Sequence, residues 1–212
     1  MSTSRPLSHQ VLRGLFRIVV AVSLIAAAAT GAVLALFTEP VFWLLGFHPI
    51  ALDYLDGRIS RAELEQVVIL GKTFGRSQID HLDDVRALLG KLLWIFLASA
   101  AIIAAAMILA RRMARPAAGL AIGSLAMAVV VVVASYLAFG FQTVGILFHQ
   151  IVFPQGNWAF PWESLIITLY GTEVMVRGAA FVIGLGLFLL FAAYFTIRCT
   201  IPRSTPAATD QI

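Results

Sequence analysis

The chain has 212 residues, of which 60% are hydrophobic and only 12% are charged, and its mean hydropathy is +0.93. Because soluble domains carry about 25% charged residues, this composition excludes an ordinary soluble protein. The 15 lysines and arginines flank apolar runs, which excludes a nucleic-acid-binding stripe and fits membrane topology. The single cysteine, Cys199, excludes an internal disulfide and a cysteine-based metal cage.

Four uncharged runs of 20, 19, 33 and 20 residues cover 18–37, 92–110, 116–148 and 178–197. About 20 helical residues cross the hydrocarbon core of a bilayer, so three runs fit one span each. The third run is too long, and we expect its helix to end within 138–141. The sequence therefore predicts a single all-α integral membrane domain over 1–212, a four-helix transmembrane bundle with a small extracytoplasmic subdomain. The expected spans are 16–37, 91–111, 117–140 and 178–198.

The basic residues predict the orientation of the spans. The two tails and the connection between spans two and three carry eight basic residues and one acid, Asp210, whereas 38–91 carries six basic residues and eight acids. Since cytoplasmic segments are rich in lysine and arginine, both termini should be cytoplasmic, with 38–90 and 141–177 outside. A cleaved signal peptide ending near Ala29 is the alternative, but the apolar run continues to Phe37, which favours an uncleaved first helix.

The first extracytoplasmic segment predicts two helices. Residues 59–70 have the pattern of a short amphipathic helix on the membrane surface. Ser77, followed by Asp80 three residues later, resembles the start of a second helix, which we expect to continue without a break into the second span.

His81 lies in the first turns of that second helix. Asp84 follows three residues later and can approach the imidazole, so we expect it to accept the second N–H of His81. The alternative is a surface carboxylate paired with Arg86 or Lys91.

The second extracytoplasmic segment is rich in aromatic residues. Pro154 and Gly156 predict a type I turn that starts at Phe153. An aromatic belt at the membrane interface is expected from Phe153, Trp158, Phe160 and Trp162. Residues 163–170 are too short to span the membrane and predict a re-entrant or interfacial helix.

Two histidines, His81 and His149, each lie at the outer end of a span, on separate segments that can meet at one depth. Ionisable groups in a membrane are functional candidates, although an isolated interfacial histidine is often a plain amphipathic residue. A Ser77–His81–Asp84 relay is disfavoured because helical spacing does not align the three side chains. A zinc site formed by both histidines with Asp84 or Glu173 remains open.

These segments together resemble the bacterial lipoprotein intramolecular transacylase family. The resemblance covers the topology, Leu52 to Gly57, the His81-Leu82-Asp83-Asp84-Val85-Arg86 motif, and Phe148-His149 with Phe153 and Gly156-Asn157-Trp158. It implies an acyltransferase of the bacterial cytoplasmic membrane, with an extracytoplasmic active site and His81 and His149 as catalytic residues. The implied reaction moves the sn-2 acyl chain of a diacylglyceryl lipoprotein to the α-amine of its N-terminal cysteine. The chain departs from the family pattern at 169–173, where a proline is missing.

The chemistry sets the remaining expectations. An ester-to-amine transfer needs a base for the amine and donors for the oxyanion, and a second, protonated histidine, Asn157 or Trp158 Nε1 could donate. Asp84 is a further supporting residue, and substrate contacts are expected from Tyr54, Phe153 and Glu173.

No cofactor or metal is expected. The expected partners are the lipoprotein and membrane lipid, with no nucleic acid, and the sequence leaves the oligomeric state open. The alternatives are a non-enzymatic envelope protein or a small transporter, although the spans hold no charge.

Overall fold

A computed structural model describes residues 7–201, so Asp210 lies outside the described residues. Eight helices and a two-stranded sheet follow one another along this part of the chain. In order they are α1 (Leu7–Leu36), α2 (Glu39–Leu44), α3 (Ile50–Leu55), α4 (Arg61–Gln66), β1 (Val68–Ile69), β2 (Lys72–Thr73), α5 (Arg76–Leu109), α6 (Arg111–Val152), α7 (Leu165–Leu169) and α8 (Thr172–Thr200).

Four helices, α1, α5, α6 and α8, are long and apolar enough to cross a membrane. Helix α1 is central and packs against the other three. Its contact surface combines Val20 and Leu24 with small residues of α6 such as Ala117 and Ala121, which allow the backbones to approach closely. The predicted all-α membrane bundle is confirmed.

Helix α5 is much longer than one membrane crossing. Its 34 residues extend about 51 Å at 1.5 Å per residue, against a hydrocarbon core about 30 Å thick. Its charged side chains all lie between Arg76 and Lys91, so residues 92–109 form the uncharged half that can cross a membrane, and His81 precedes that half. The predicted continuity of the helix is confirmed, but Ser77 does not cap it. Gly75 is the N-cap and has extended backbone angles, and its carbonyl oxygen accepts a hydrogen bond from the backbone N–H of Gln78.

Helix α6 contains one sharp break, at Gly140, where φ is 78° and ψ is 163°. This region of backbone space is essentially restricted to glycine. The break falls within the predicted 138–141 and redirects residues 141–152, which we call the α6 arm.

The short elements form a cap at one end of the bundle, made of residues 37–75 and 153–171. Its own hydrophobic core includes Phe42, Leu52, Tyr54, Leu64 and Leu165. Helix α7 matches the helix predicted over 163–170, but Leu165 and Ile166 are buried in this core and do not lie against lipid.

The predicted amphipathic helix over 59–70 is wrong beyond Gln66. Ser60 and Glu63 form a capping box that starts α4, and the helix ends after six residues. Leu70 and Gly71 both have positive φ, which ends any helix and closes a hairpin of β1 and β2.

Candidate active site

The two predicted histidines meet between the start of α5 and the end of the α6 arm. The ring centroids of His81 and His149 are 6.1 Å apart. The 67 residues that lie between them in sequence are folded so that both imidazoles line one site, as their positions at the ends of two spans predicted.

His149 has a defined tautomer. Its Nδ1 lies 2.7 Å from the carbonyl oxygen of Gly145, one turn earlier in the α6 arm. Because a carbonyl oxygen can only accept, Nδ1 carries the hydrogen, and Nε2 of the neutral ring is left with a lone pair. His149 therefore presents a basic nitrogen from a half-buried, oriented ring.

Aromatic rings surround both imidazoles. Phe153 and Phe160 approach His81 edge-on, with ring centroids 4.8 and 5.6 Å away, and Trp158 lies 5.2 Å from His149. His81 is buried, and its Nδ1 has no hydrogen-bond partner among the described residues. The pKa of His81 is lowered from 6.5 to about 4, chiefly because the ring is buried and to a lesser degree because His149 lies nearby. The negative charge of Asp84 acts in the opposite direction and raises this pKa.

The lowered pKa of His81 predicts a loss of stability at acidic pH. The unfolded chain takes up a proton near the ordinary pKa of 6.5, whereas the buried ring resists protonation until about pH 4. Stability should therefore be complete above pH 6.5 and fall by an amount on the order of 3 kcal/mol as the pH drops to 4. Thermal unfolding in detergent across this range should show a smaller decline for His81→Gln; equal declines would contradict the assignment.

Asp84 fastens the loop that follows α6 onto α5. Its Oδ2 accepts hydrogen bonds from Asn157 Nδ2 at 2.5 Å and from Gln155 Nε2 at 2.8 Å. These two hydrogen bonds lower the pKa of Asp84, and the bond from Asn157 has the larger effect. The prediction that Asp84 accepts the N–H of His81 is wrong, because the carboxylate is turned towards the loop amides.

The loop residues 153–158 hold themselves in a compact turn. The Gly156 amide donates to the Phe153 carbonyl at 3.2 Å, as predicted for a turn starting at Phe153. The same carbonyl accepts from Trp158 Nε1 at 3.1 Å. The Trp158 N–H and one amide hydrogen of Asn157 are thus already engaged, and the expectation that they donate to an oxyanion is not supported by their contacts.

Within the described residues, the side chains of Tyr54 and Glu173 have polar partners other than the two histidines. Tyr54 is buried where α3 packs on α5; its hydroxyl donates to Asp83 at 2.5 Å and the Arg86 guanidinium lies 4.4 Å from its ring centroid. Burial and the Asp83 carboxylate raise the pKa of Tyr54. Glu173 is exposed in the first turn of α8, 3.5 Å from Arg177. These contacts favour a positioning role for Tyr54, whereas Phe153 does line the site.

Two polar residues that brace α5 were missed by the sequence analysis. Gln78 is buried one turn before His81, and its Oε1 accepts from the Ile166 amide of α7 at 3.1 Å. Arg61 of α4 bridges Asp80 at 2.6 Å and Asp83 at 2.9 Å. The i, i+3 spacing, which places Gln78 on the same helix face as His81, was the signal that could have identified Gln78. Nothing in the sequence pairs Arg61 with α5.

The alternative chemistries find little support in the geometry. Ser77 is exposed, and no hydrogen bond joins it to His81 within residues 7–201. Over the same residues, no group of three or more histidine, cysteine, aspartate or glutamate side chains is placed to hold a metal ion.

The family model described as "Lipoprotein intramolecular transacylase Lit" matches residues 48–173, more than half of the chain, and this range contains both histidines. The chain belongs to the Lit family. It is therefore an acyltransferase, a lipoprotein intramolecular transacylase, and a multi-pass membrane protein. No curated protein matches the chain.

Two solved structures resemble this family member. One is the membrane-integral Lit from Bacillus cereus, with a TM-score of 0.64 and 18% identity over 89% of this chain and 95% of that one. The other is the B. cereus protein carrying a histidine-to-arginine mutation, with a TM-score of 0.62 and 17% identity over 90% of this chain and 92% of that one. At these identities the likeness shows the shared fold alone.

Proposed function

We propose that the chain moves the sn-2 acyl chain of a diacylglyceryl lipoprotein onto the α-amine of the same molecule's N-terminal cysteine. The product is an N-acylated lipoprotein with a lyso glycerol. The observation that carries this proposal is the pair of imidazoles, 6.1 Å apart among aromatic rings. An ester-to-amine transfer needs a proton acceptor and an oxyanion donor in a water-poor place, and two histidines can supply both.

His149 is the base in this proposal. Its Nε2 has the free lone pair, because Nδ1 donates to the Gly145 carbonyl. It accepts a proton from the cysteine amine as the nitrogen attacks the ester carbonyl. It then returns that proton to the departing glycerol oxygen, so one C–N bond forms, one C–O bond breaks and no proton is gained or lost.

His81 acts as a neutral hydrogen-bond donor. Its pKa of about 4 keeps the ring uncharged near neutral pH, which replaces the expectation of a protonated second histidine. A neutral imidazole still carries one N–H and can stabilise a developing oxyanion in a water-poor site.

No enzyme nucleophile is required, because both reacting groups belong to one substrate. Holding the amine and the ester together converts the transfer into an intramolecular step, which supplies much of the acceleration. Cys199 lies in the last turn of α8, at the opposite end of the bundle from the histidine-bearing end of α6, and is no candidate nucleophile.

The cap and the active site face the extracytoplasmic side in this proposal, with both termini in the bacterial cytoplasm. The support is the excess of arginine at the opposite end, where Arg111, Arg112 and Arg115 lie in the first turns of α6. The exposed Cys199 is a natural probe of this orientation. An impermeant thiol reagent added to intact spheroplasts should leave it unlabelled, and labelling from outside would reverse the topology.

Asp84→Asn is expected to lower turnover by about ten-fold, which corresponds to about 1.4 kcal/mol. The reason is that a neutral amide holds Gln155 and Asn157 less firmly than a carboxylate does, so the aromatic loop beside both histidines loosens. The exchange Asp84→Asn with Asn157→Asp restores an amide–carboxylate pair and should recover part of the rate. Unchanged turnover in the single variant would leave Asp84 without a role in positioning.

The reaction itself is tested in a host whose lipoproteins have a free cysteine amine. Expression of the protein should convert them to N-acylated forms of unchanged total mass, detected by tandem mass spectrometry of the N-terminal peptide. A mass gain of one acyl chain would indicate an intermolecular transferase and a loss of one chain a lipase. An unchanged fragmentation pattern, with the protein present and folded, would contradict the proposal.

A further inference from the structure

The hairpin of β1 and β2 exposes apolar side chains at its tip. Leu70 is 76% exposed and Val68 is 65% exposed. The register pairs Ile69 with Lys72, so Leu70 and Gly71 form a two-residue turn, with φ of 52° and 72°. Turns with positive φ at both positions favour asparagine or aspartate followed by glycine.

A leucine at this position is unfavourable in water for two reasons. The left-handed conformation costs a side chain with a Cβ about 1–2 kcal/mol. The side chain also stays in contact with solvent, although the neighbouring Ile69 packs against the cap core. Leu70 is thus an exposed apolar residue in a strained backbone conformation. Exposed apolar side chains of this kind mark surfaces that contact another molecule or a membrane.

The hairpin is bonded to the helix that precedes the membrane-crossing α8 in the chain. Lys72 Nζ donates to Thr168 Oγ1 of α7 at 3.1 Å. Helix α7 ends at Leu169, and the membrane-crossing α8 begins at Thr172. Trp162, which is 70% exposed, precedes α7 by three residues.

A second exposed apolar site lies where α1 leaves the membrane. Helix α1 ends at Leu36 and α2 begins at Glu39. On α2, Trp43 is 59% exposed and Leu44 is 81% exposed. Tryptophan is enriched at membrane–water interfaces, where its ring lies at headgroup depth.

We propose that the hairpin tip, Leu70 with Val68, inserts into the headgroup region of the leaflet on the side of the cap. Trp43, Leu44 and Trp162 are further contacts of the cap with the same leaflet. Lipid is the occupant, because the hairpin is bonded to α7, which leads into the membrane-crossing α8, and because the exposed side chains next to α1 and α7 include two tryptophans. Since β2 ends at Thr73 and α5 begins at Arg76, such an anchor also holds the start of the helix that carries His81.

The contact with lipid is measured directly by fluorescence. A fluorophore is attached to Leu70→Cys in a Cys199→Ser background, and the protein is placed in nanodiscs whose lipids carry a quencher high on the acyl chain. The matched control is Glu65→Cys, an exposed position on α4 whose native side chain pairs with Arg61. We expect quenching at position 70 and none at position 65.

Two results would contradict the proposal. The first is the absence of quenching at position 70 in folded protein, or equal quenching at both positions. The second is an emission that is blue-shifted but unquenched in lipid and in detergent alike, since this indicates cover by a protein surface. Neither result depends on acyl transfer, so failure of the anchor leaves the proposed reaction untouched.

Leu70→Asn separates anchoring from folding. Asn-Gly is the preferred pair for this turn, so the variant should unfold in detergent at the same temperature as the wild type or higher. It should gain less thermal stability than the wild type on transfer from detergent to nanodiscs, because the tip no longer buries a leucine. An equal gain in both proteins, or a lower unfolding temperature of the variant in detergent, would count against the anchor.

Discussion

His149→Asn is expected to lower the rate of acyl transfer by about 10²- to 10⁴-fold, the range attributed to a general base. The asparagine amide can still donate to the Gly145 carbonyl, as Nδ1 of the histidine does at 2.7 Å, so the end of the α6 arm keeps its hydrogen bond. What the variant lacks is the basic Nε2. The rate is measured as conversion of a diacylated lipopeptide by the purified protein.

His48→Asn is the matched control for that variant. His48 Nδ1 accepts from the Ile50 amide at 3.3 Å, and an asparagine oxygen can accept the same bond two residues ahead. We expect the control to transfer acyl chains at the wild-type rate. A normal rate in His149→Asn would remove His149 from the chemistry, whatever its distance from His81.

Gly140→Ala is expected to slow transfer by about 100-fold without unfolding the bundle. A Cβ at φ 78° and ψ 163° is strained by about 1–3 kcal/mol, so the backbone should relax and turn the α6 arm. A misplacement of about 1 Å can cost 100-fold in rate when two groups must be aligned. The variant should retain its helical content by circular dichroism while its turnover falls.

Gly145→Ala is the control within the same arm. This glycine is helical, and a Cβ placed on it would meet nothing within 4 Å. It should therefore keep its activity, which separates the special backbone of Gly140 from the general effect of adding a methyl group. Equal activity of both variants and the wild type would show that the break does not align His149.

The long helices and the meeting of the histidines were predictable from the sequence. Runs of about 20 uncharged residues have few alternatives to a membrane helix, because lipid leaves no other partner for the backbone. His81 and His149 flank two such runs, so they lie at one end of the bundle once the runs are antiparallel. The break near Gly140 followed from the excess length of the third run alone.

The contacts that arrange the site were not predictable in the same way. Asp84 was expected to bind His81 because helical spacing brings them close, yet Asn157 and Gln155 compete for the carboxylate and come from 71 or more residues away. Such a choice depends on tertiary geometry, which local periodicity does not carry. The hairpin after α4 was missed for a similar reason, since Leu70 takes a conformation that its type seldom adopts.

A crossover experiment tests most directly whether the histidine pair transfers an acyl chain within one molecule. The purified protein receives an equal mixture of unlabelled diacylated lipopeptide and lipopeptide labelled in both the peptide and the sn-2 chain. Tandem mass spectrometry should find the labelled chain only on labelled peptides, attached to the cysteine amine, with the product nearly absent for His149→Asn and His81→Gln. Labelled chains on unlabelled peptides, or undiminished product from both histidine variants, would contradict the account.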